Sequence, residues 1–103
     1  MKAAKAKELL GKYDLTSFQK EVLIATAAIP KGETRTYKQI AAAVHRPHAY
    51  RAVGSVMRIN PLAPTIPCHR VVKSDGSLGD YSGRGGTKTK ERMLRQEGAL
   101  ARA

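Results

Sequence analysis

Three prolines spaced three residues apart, Pro61, Pro64 and Pro67, divide this chain more sharply than any other feature of its sequence. A proline lacks an amide donor and fixes its own φ, so such a run continues neither a helix nor the interior of a sheet. The segment reads as an irregular, extended loop between two ordered parts. Before it the residues repeat with helical period. Thr16 and Gln19 fit a capping box, and Phe18, Val22, Ala25 and Ile29 form an apolar stripe that Pro30-Lys31-Gly32 ends. Thr34 to Tyr37 reads as a short extended or capping segment. A small helix follows from Lys38 to Val44, then a turn at His45-Arg46-Pro47-His48. A third helix runs from about Ala49 to Ile59, stopping at Asn60 because the residue before a proline is pushed out of the α region. Two short helices joined by a tight turn, the second rich in arginine, make a helix-turn-helix pattern.

The third helix carries two unlike faces. Val53, Val56 and Met57 are apolar, while Arg51, Gly54, Ser55 and Arg58 form a face that is basic at its ends and almost bare between. Glycine inside a helix costs about 0.5–1 kcal/mol relative to alanine, so something needs the space. Close approach to a nucleic-acid backbone is one use, and close packing of another helix is the other. After the proline loop, Cys68 to Val72 leads into a strand and Ser74-Asp75-Gly76-Ser77 reads as a hairpin turn with a short return at Leu78. Residues 81–86 read as a glycine-rich loop. A last helix from about Thr87 to Glu97 is closed by Gly98, with Glu91 and Arg95 as an i, i+4 pair. Residues 1–14, rich in lysine and alanine and broken by Gly11, read as a basic, loosely docked lead-in to one domain over 15–103.

Charge narrows the function. Nineteen basic residues against eight acidic ones give a net charge of +11, which favours a polyanionic partner such as nucleic acid over a merely solvated surface. At 5% aromatic residues a multi-base stacking platform is disfavoured. No apolar run suits a membrane span or a signal peptide. A single cysteine excludes an internal disulfide and a thiolate-rich zinc site, so neither a metal nor another cofactor is expected. These features fit a soluble, monomeric protein of the cytoplasm, or of the nucleus in a eukaryote.

The lone cysteine carries the chemistry. A free cysteine is ordinarily a small buried hydrophobe. Here Pro67 fixes the backbone before Cys68, His69 and Arg70 follow directly, and the chain around them is electropositive, which favours a thiolate. In an extended strand Cys68 and His69 would point to opposite faces, so His69 can act as base only if the chain bends or a water intervenes. Arg70 reads best as a structural ion pair.

Ile66-Pro67-Cys68-His69-Arg70-Val71-Val72 resembles the active-site signature of the O6-alkylguanine-DNA alkyltransferases, or methylated-DNA–protein-cysteine methyltransferases. Further blocks fall in that family's order: 29–34, 36–41, Arg51-Ala52-Val53-Gly54, Asn60-Pro61, Gly79-Asp80-Tyr81-Ser82-Gly83 and the Lys90/Leu94/Glu97 spacing. The resemblance implies that Cys68 accepts an alkyl group irreversibly, once per molecule. It implies that His69 takes the thiol proton through a water, that Glu97 orients His69, and that Asn60 braces the turn before the cysteine. Arg51 would fill the gap left by a flipped guanine. Tyr37 would stand beside the flipped nucleotide as a proton donor to the departing base. Pro67, Tyr81, Ser82 and Lys90 would line the pocket, and the second helix of the helix-turn-helix, with Gly54, Ser55 and Arg58, would enter the minor groove of double-stranded DNA. Alone, Glu97 would be a helix-end carboxylate, Tyr37 and Tyr81 packing residues, Asn60 a turn residue and Lys90 a solvated helix lysine.

Pattern and resemblance together predict a mostly α single domain with a short β-hairpin, of winged helix-turn-helix type. The activity expected is direct reversal of O6-alkylguanine in DNA. Two alternatives stand beside it: a lesion-binding protein without transfer, as in the alkyltransferase-like proteins, which have tryptophan in place of Cys68, and a plain helix-turn-helix DNA-binding protein. Most family members carry a further N-terminal domain, which is expected to be absent here. The glycine loop at 82–86 looks longer than usual, which bears on the range of alkyl groups accepted. The whole reading requires the sulfur to be reachable by a nucleobase.

Overall fold

The computed structural model describes residues 1–75, 77–79 and 86–99. Helix α1 (Ala3–Leu10) is followed by α2 (Ser17–Ala27), β1 (Arg35–Thr36), α3 (Tyr37–Ala43), α4 (Tyr50–Ile59), a 3-10 turn at Cys68–Arg70, β2 (Val71–Val72) and α5 (Gly86–Gln96). Helix α2 is the hub, since α1, α3, α4 and the 3-10 turn all pack on it. Its start is the expected capping box: Thr16 Oγ1 accepts from the Gln19 amide while the Gln19 side chain accepts from the Thr16 amide. The same device recurs at Thr36 and Gln39, which start α3. Thr26, buried on α2, returns its hydroxyl to the Val22 carbonyl at 2.8 Å and so satisfies itself within the core.

Helices α3 and α4 are the helix-turn-helix pair, joined through His45, whose φ of 62° lies in the left-handed region. Helix α4 has the two faces its sequence describes: Val53, Val56 and Met57 are buried, and Arg51, Ser55 and Arg58 are exposed.

Two expectations are corrected. The lead-in is not loosely docked: residues 3–10 form a helix that ends at Gly11, and Ala6 and Leu10 are fully buried in the one apolar cluster. Apolar residues at i and i+4 supply one helical stripe, and burying it against α2 offsets the weak tendency of so short a helix to form alone. The second concerns the hairpin. Lys73 N–H does donate to Ser77 O at 2.9 Å, so the turn closes, but β2 pairs in parallel with β1, Arg35 opposite Val71 and Thr36 opposite Val72. Val71 is fully buried and its strand joins β1 on one edge, while the return of the hairpin beyond Gly79 lies outside the described residues. The intervening α3, α4 and proline loop supply the long crossover that a parallel pair requires.

Candidate active site and nucleic-acid interface

The proline loop delivers Cys68 through a tight turn instead of a strand. Asn60 spans it: its Nδ2 donates to Ile66 O at 2.9 Å and its Oδ1 accepts from Leu62 N at 3.0 Å. Asn60 therefore braces the loop from start to end, and it is itself buried. Pro67 then sets a φ of −80°, Cys68 N–H reaches Ile66 O at 2.8 Å and Arg70 N–H reaches Pro67 O at 2.9 Å. This 3-10 turn is the bend on which a role for His69 beside Cys68 depends.

Glu97 meets that turn from the end of α5. Gly98, at φ 79°, closes the helix with Gly98 N–H to Arg95 O and Ala99 N–H to Leu94 O, which fixes Glu97 just past the last helical residue, Gln96. A carboxylate there opposes the helix dipole, and its partners offset that. His69 Nε2 lies 3.1 Å from Glu97 Oε2, and Arg70 grips both oxygens, Nη2 to Oε2 at 2.7 Å and Nε to Oε1 at 3.0 Å. The expected ion pair of Arg70 is thus found, with Glu97 as its partner. The Arg70 guanidinium, by hydrogen bonding, holds the Glu97 carboxyl below the usual carboxylate range. Burial pulls the His69 imidazole below its ordinary value, against the opposing pull of Glu97. A carboxylate only accepts, so Nε2 carries the proton and the lone pair of the neutral ring is on Nδ1.

Cys68 is 1% exposed and belongs to the apolar cluster with Ile66 and Val71. Lys90 is a correction to the solvated-lysine reading: it is 0% exposed, donates from Nζ to Val71 O at 2.7 Å and stands 5.8 Å from the Tyr37 ring centroid. A buried ammonium needs such partners. The signal was present, because Lys90 and Leu94 share the buried face of α5.

The other half of the site faces outward. Tyr37, Arg51, Gly54, Ser55 and Arg58 line an open cleft of about 620 Å³ between α3, α4 and the turn at 73–75. Tyr37 is its inner wall: a Cβ on Gly54 would sit 3.9 Å from its ring, and one on Gly79 would collide with its hydroxyl. Gly79 also has φ 75°, so both its backbone and its lack of a side chain are required there. Sequence reasoning missed Lys38, Tyr50 and Lys73 as lining residues. Lys38 Nζ stands 5.3 Å from the Tyr50 ring centroid, a cation–π pair on the rim. Adjacency to Tyr37 and Arg51 was the available signal for Lys38 and Tyr50; Lys73 had none. The cleft does not include Cys68, His69, Pro67 or Lys90, so the expected residues form two groups, with Tyr37 on the side of the cleft that meets Lys90. Tyr81 and Ser82 lie outside the described residues. Among the described residues no group of His, Cys, Asp and Glu could hold a metal ion, and no helix is long and apolar enough to cross a membrane.

Comparison with known proteins bears on both groups. A family model described as the DNA binding domain of 6-O-methylguanine DNA methyltransferase matches residues 17–99. The methylated-DNA–protein-cysteine methyltransferase of Methanosarcina barkeri is 52% identical over 82 residues, which are 80% of this chain and 51% of that protein. The Mus musculus protein of the same name is 52% identical over 84% of this chain and 41% of its own length. The chain thus spans about half the length of these curated relatives. The crystal structure of Mycobacterium tuberculosis OGT in complex with DNA superposes with a TM-score of 0.77 at 43% identity, covering 82% of this chain and 50% of that one. That of S. pombe Atl1 in complex with damaged DNA containing O6-carboxymethylguanine gives a TM-score of 0.72 at 30% identity, covering 84% of this chain and 80% of the other.

Proposed function

The chain belongs to the family of the 6-O-methylguanine DNA methyltransferase DNA-binding domain, and from that membership we propose that it is the active-site portion of such a protein. It repairs O6-alkylguanine in double-stranded DNA by direct reversal, with Cys68 as a single-use acceptor. The observation that carries the reading is the His69–Glu97 contact at 3.1 Å, built on the turn that presents Cys68.

Each residue has a part. Neutral His69, oriented by ionised Glu97, takes the thiol proton through a bridging water, which supplies the thiolate that a free thiol lacks at neutral pH. The sulfur attacks the alkyl carbon, an S–C bond forms, and the C–O6 bond breaks with its electron pair leaving on guanine. The Tyr37 hydroxyl protonates the departing base. A guanine inside a duplex cannot reach a protein sulfur, so it is flipped out at a cost of a few kcal/mol, and Arg51 fills the gap. The bare surface of Gly54 and Ser55 between Arg51 and Arg58 suits the narrow minor groove, which a monomer enters with α4. Because Cys68 is buried and lies outside the cleft, transfer requires that the cleft beside Tyr37 open toward it when DNA binds.

Incubation with duplex DNA carrying a labelled O6-methylguanine tests the proposal. One label per protein, on Cys68 by mass spectrometry, is the expected result, and an unlabelled protein overturns it. A second reading, lesion binding without transfer, is favoured by the burial of Cys68 and by the coverage of Atl1. Tight binding of the modified duplex with no label would establish it.

A further inference from the structure

Arg70 has no step in the transfer proposed above, yet it holds Glu97 more closely than His69 does. Its Nη2 takes the same oxygen, Oε2, at 2.7 Å, against 3.1 Å for His69 Nε2. Nε takes Oε1 at 3.0 Å, and Nη1 donates to the Ile29 carbonyl at 2.8 Å, just beyond α2. The guanidinium is thus fixed to the backbone on one side and forks onto the carboxylate on the other, with both side chains mostly buried. A simple ion pair needs only the fork. Here the shared oxygen makes the fork part of the His69 environment.

We infer that Arg70 is a positioning residue that neutralises Glu97 inside the relay, so that the carboxylate orients the imidazole without drawing a proton onto it. An unpaired carboxylate beside a buried imidazole would stabilise imidazolium, and a protonated His69 cannot accept the thiol proton. A guanidinium on the same carboxylate offsets that pull and, being cationic, opposes imidazolium directly. Among the described residues, the charged groups that act on the ring are Lys90 on α5, Glu97 just past its end, and Arg70 in the ring's own turn. Arg70 and Lys90 act against protonation, and Glu97 acts for it. The inference rests on the transfer reading for its consequence: Arg70 sets how far the pH can fall before Cys68 stops reacting.

The test uses the full chain, wild type, Arg70→Met and Arg70→Lys, with the His69 ring titrated by NMR and transfer rates followed against pH. Loss of the guanidinium leaves Glu97 charged and uncompensated. In Arg70→Met the His69 midpoint moves up, and the ratio of the rate at roughly pH 8 to that at roughly pH 6 rises severalfold. Arg70→Lys, which keeps the charge but not the fork, falls between wild type and Arg70→Met. A His69 midpoint that is unchanged or lower in a folded variant overturns the inference, leaving Arg70 a structural ion pair. If Arg70→Met does not fold, Arg70→Lys decides alone by the same criterion. If the wild type transfers nothing, the activity fails while the ring titration still decides the role of Arg70.

Discussion

Around Cys68 the polar side chains are buried and tied to named partners, whereas around Arg51 they stand in solvent. Asn60, His69 and Lys90 lie inside, bonded to Ile66 O, Glu97 and Val71 O respectively. Arg51, Ser55 and Arg58 line an open cleft, and Ser55 donates to the carbonyl of Arg51 on its own helix, at 3.4 Å. The difference follows from dielectric. In the interior an unmet polar group is costly, so geometry is over-determined and suits a proton relay. On the surface water satisfies whatever the protein does not, and long basic side chains stay adaptable, as contact with a charged backbone demands. Chemistry and docking are therefore separable here, and substitutions should divide along that line.

The largest effect expected is on the inner side. Cys68→Ser abolishes transfer to the limit of detection while binding of an O6-methylguanine duplex persists, measured by mass spectrometry and by titration of the labelled duplex. Loss of both together would break the separation and make the cysteine mainly structural. Next comes salt, which should act only on the outer side. If Lys38, Arg58 and Lys73 each meet a phosphate while Arg51 enters the stack, the slope of log affinity against log salt is about −2.7, and binding weakens roughly fortyfold between about 50 and 200 mM. Transfer from free O6-methylguanine base should be nearly flat over the same range, because buried pairs are little screened. Parallel salt dependence of the two would mean the relay is open to solvent.

The same division governs what could be read from sequence. The helix starts at Thr16 and Thr36 are local chemistry, a hydroxyl and an amide three residues apart, and so is the end of α5 at Gly98. The two faces of α4 follow from its period. Pairing of β1 with β2 was not legible, because Arg35–Thr36 and Val71–Val72 meet only after the intervening residues 37–70 have folded, and a two-residue strand has no alternation to register. The docking of α1 was missed because Ala6 and Leu10 are a thin stripe among lysines. Within the site, the resemblance of 66–72 named Cys68 and His69, but a linear motif does not say which side chains share a cavity. That Arg70 and His69 converge on one oxygen of Glu97 depends on a contact 27 and 28 residues away in sequence.

Asn60→Ala against Arg51→Ala sharpens the comparison at intermediate size. Removing Asn60 leaves the Ile66 carbonyl and the Leu62 amide without the side chain that joins them, and should cost about 2–3 kcal/mol by chemical denaturation. Arg51→Ala, at an exposed position, should change stability by less than about 0.5 kcal/mol. It should slow reaction on duplex DNA about tenfold, roughly 1.4 kcal/mol of barrier, with little effect on the free modified base. Equal slowing on both substrates would remove Arg51 from base flipping.

The smallest effect is the pH dependence of folding, and its sign is fixed by the inner region. His69 titrates below the ordinary imidazole value of 6.5 in the fold, chiefly because burial disfavours its charged form. The unfolded chain therefore takes up this proton first as the pH falls. The stability due to neutral His69 is complete above about 6.5 and is lost as the pH drops from there to the folded value. Glu97, held below its ordinary 4.5 by Arg70, adds stability that is present above that value and is lost as the pH falls through its own folded one. Both act in one direction, so the melting temperature should begin to fall on acidification below about pH 6.5 and fall further below about pH 4.5. His69→Gln should remove the first decline and keep the second. A wild-type melting temperature that is level from about pH 7.5 to 5 would mean His69 is no drier in the fold than in the unfolded chain, and the contrast between a sealed relay and a wetted cleft would lose its electrostatic basis.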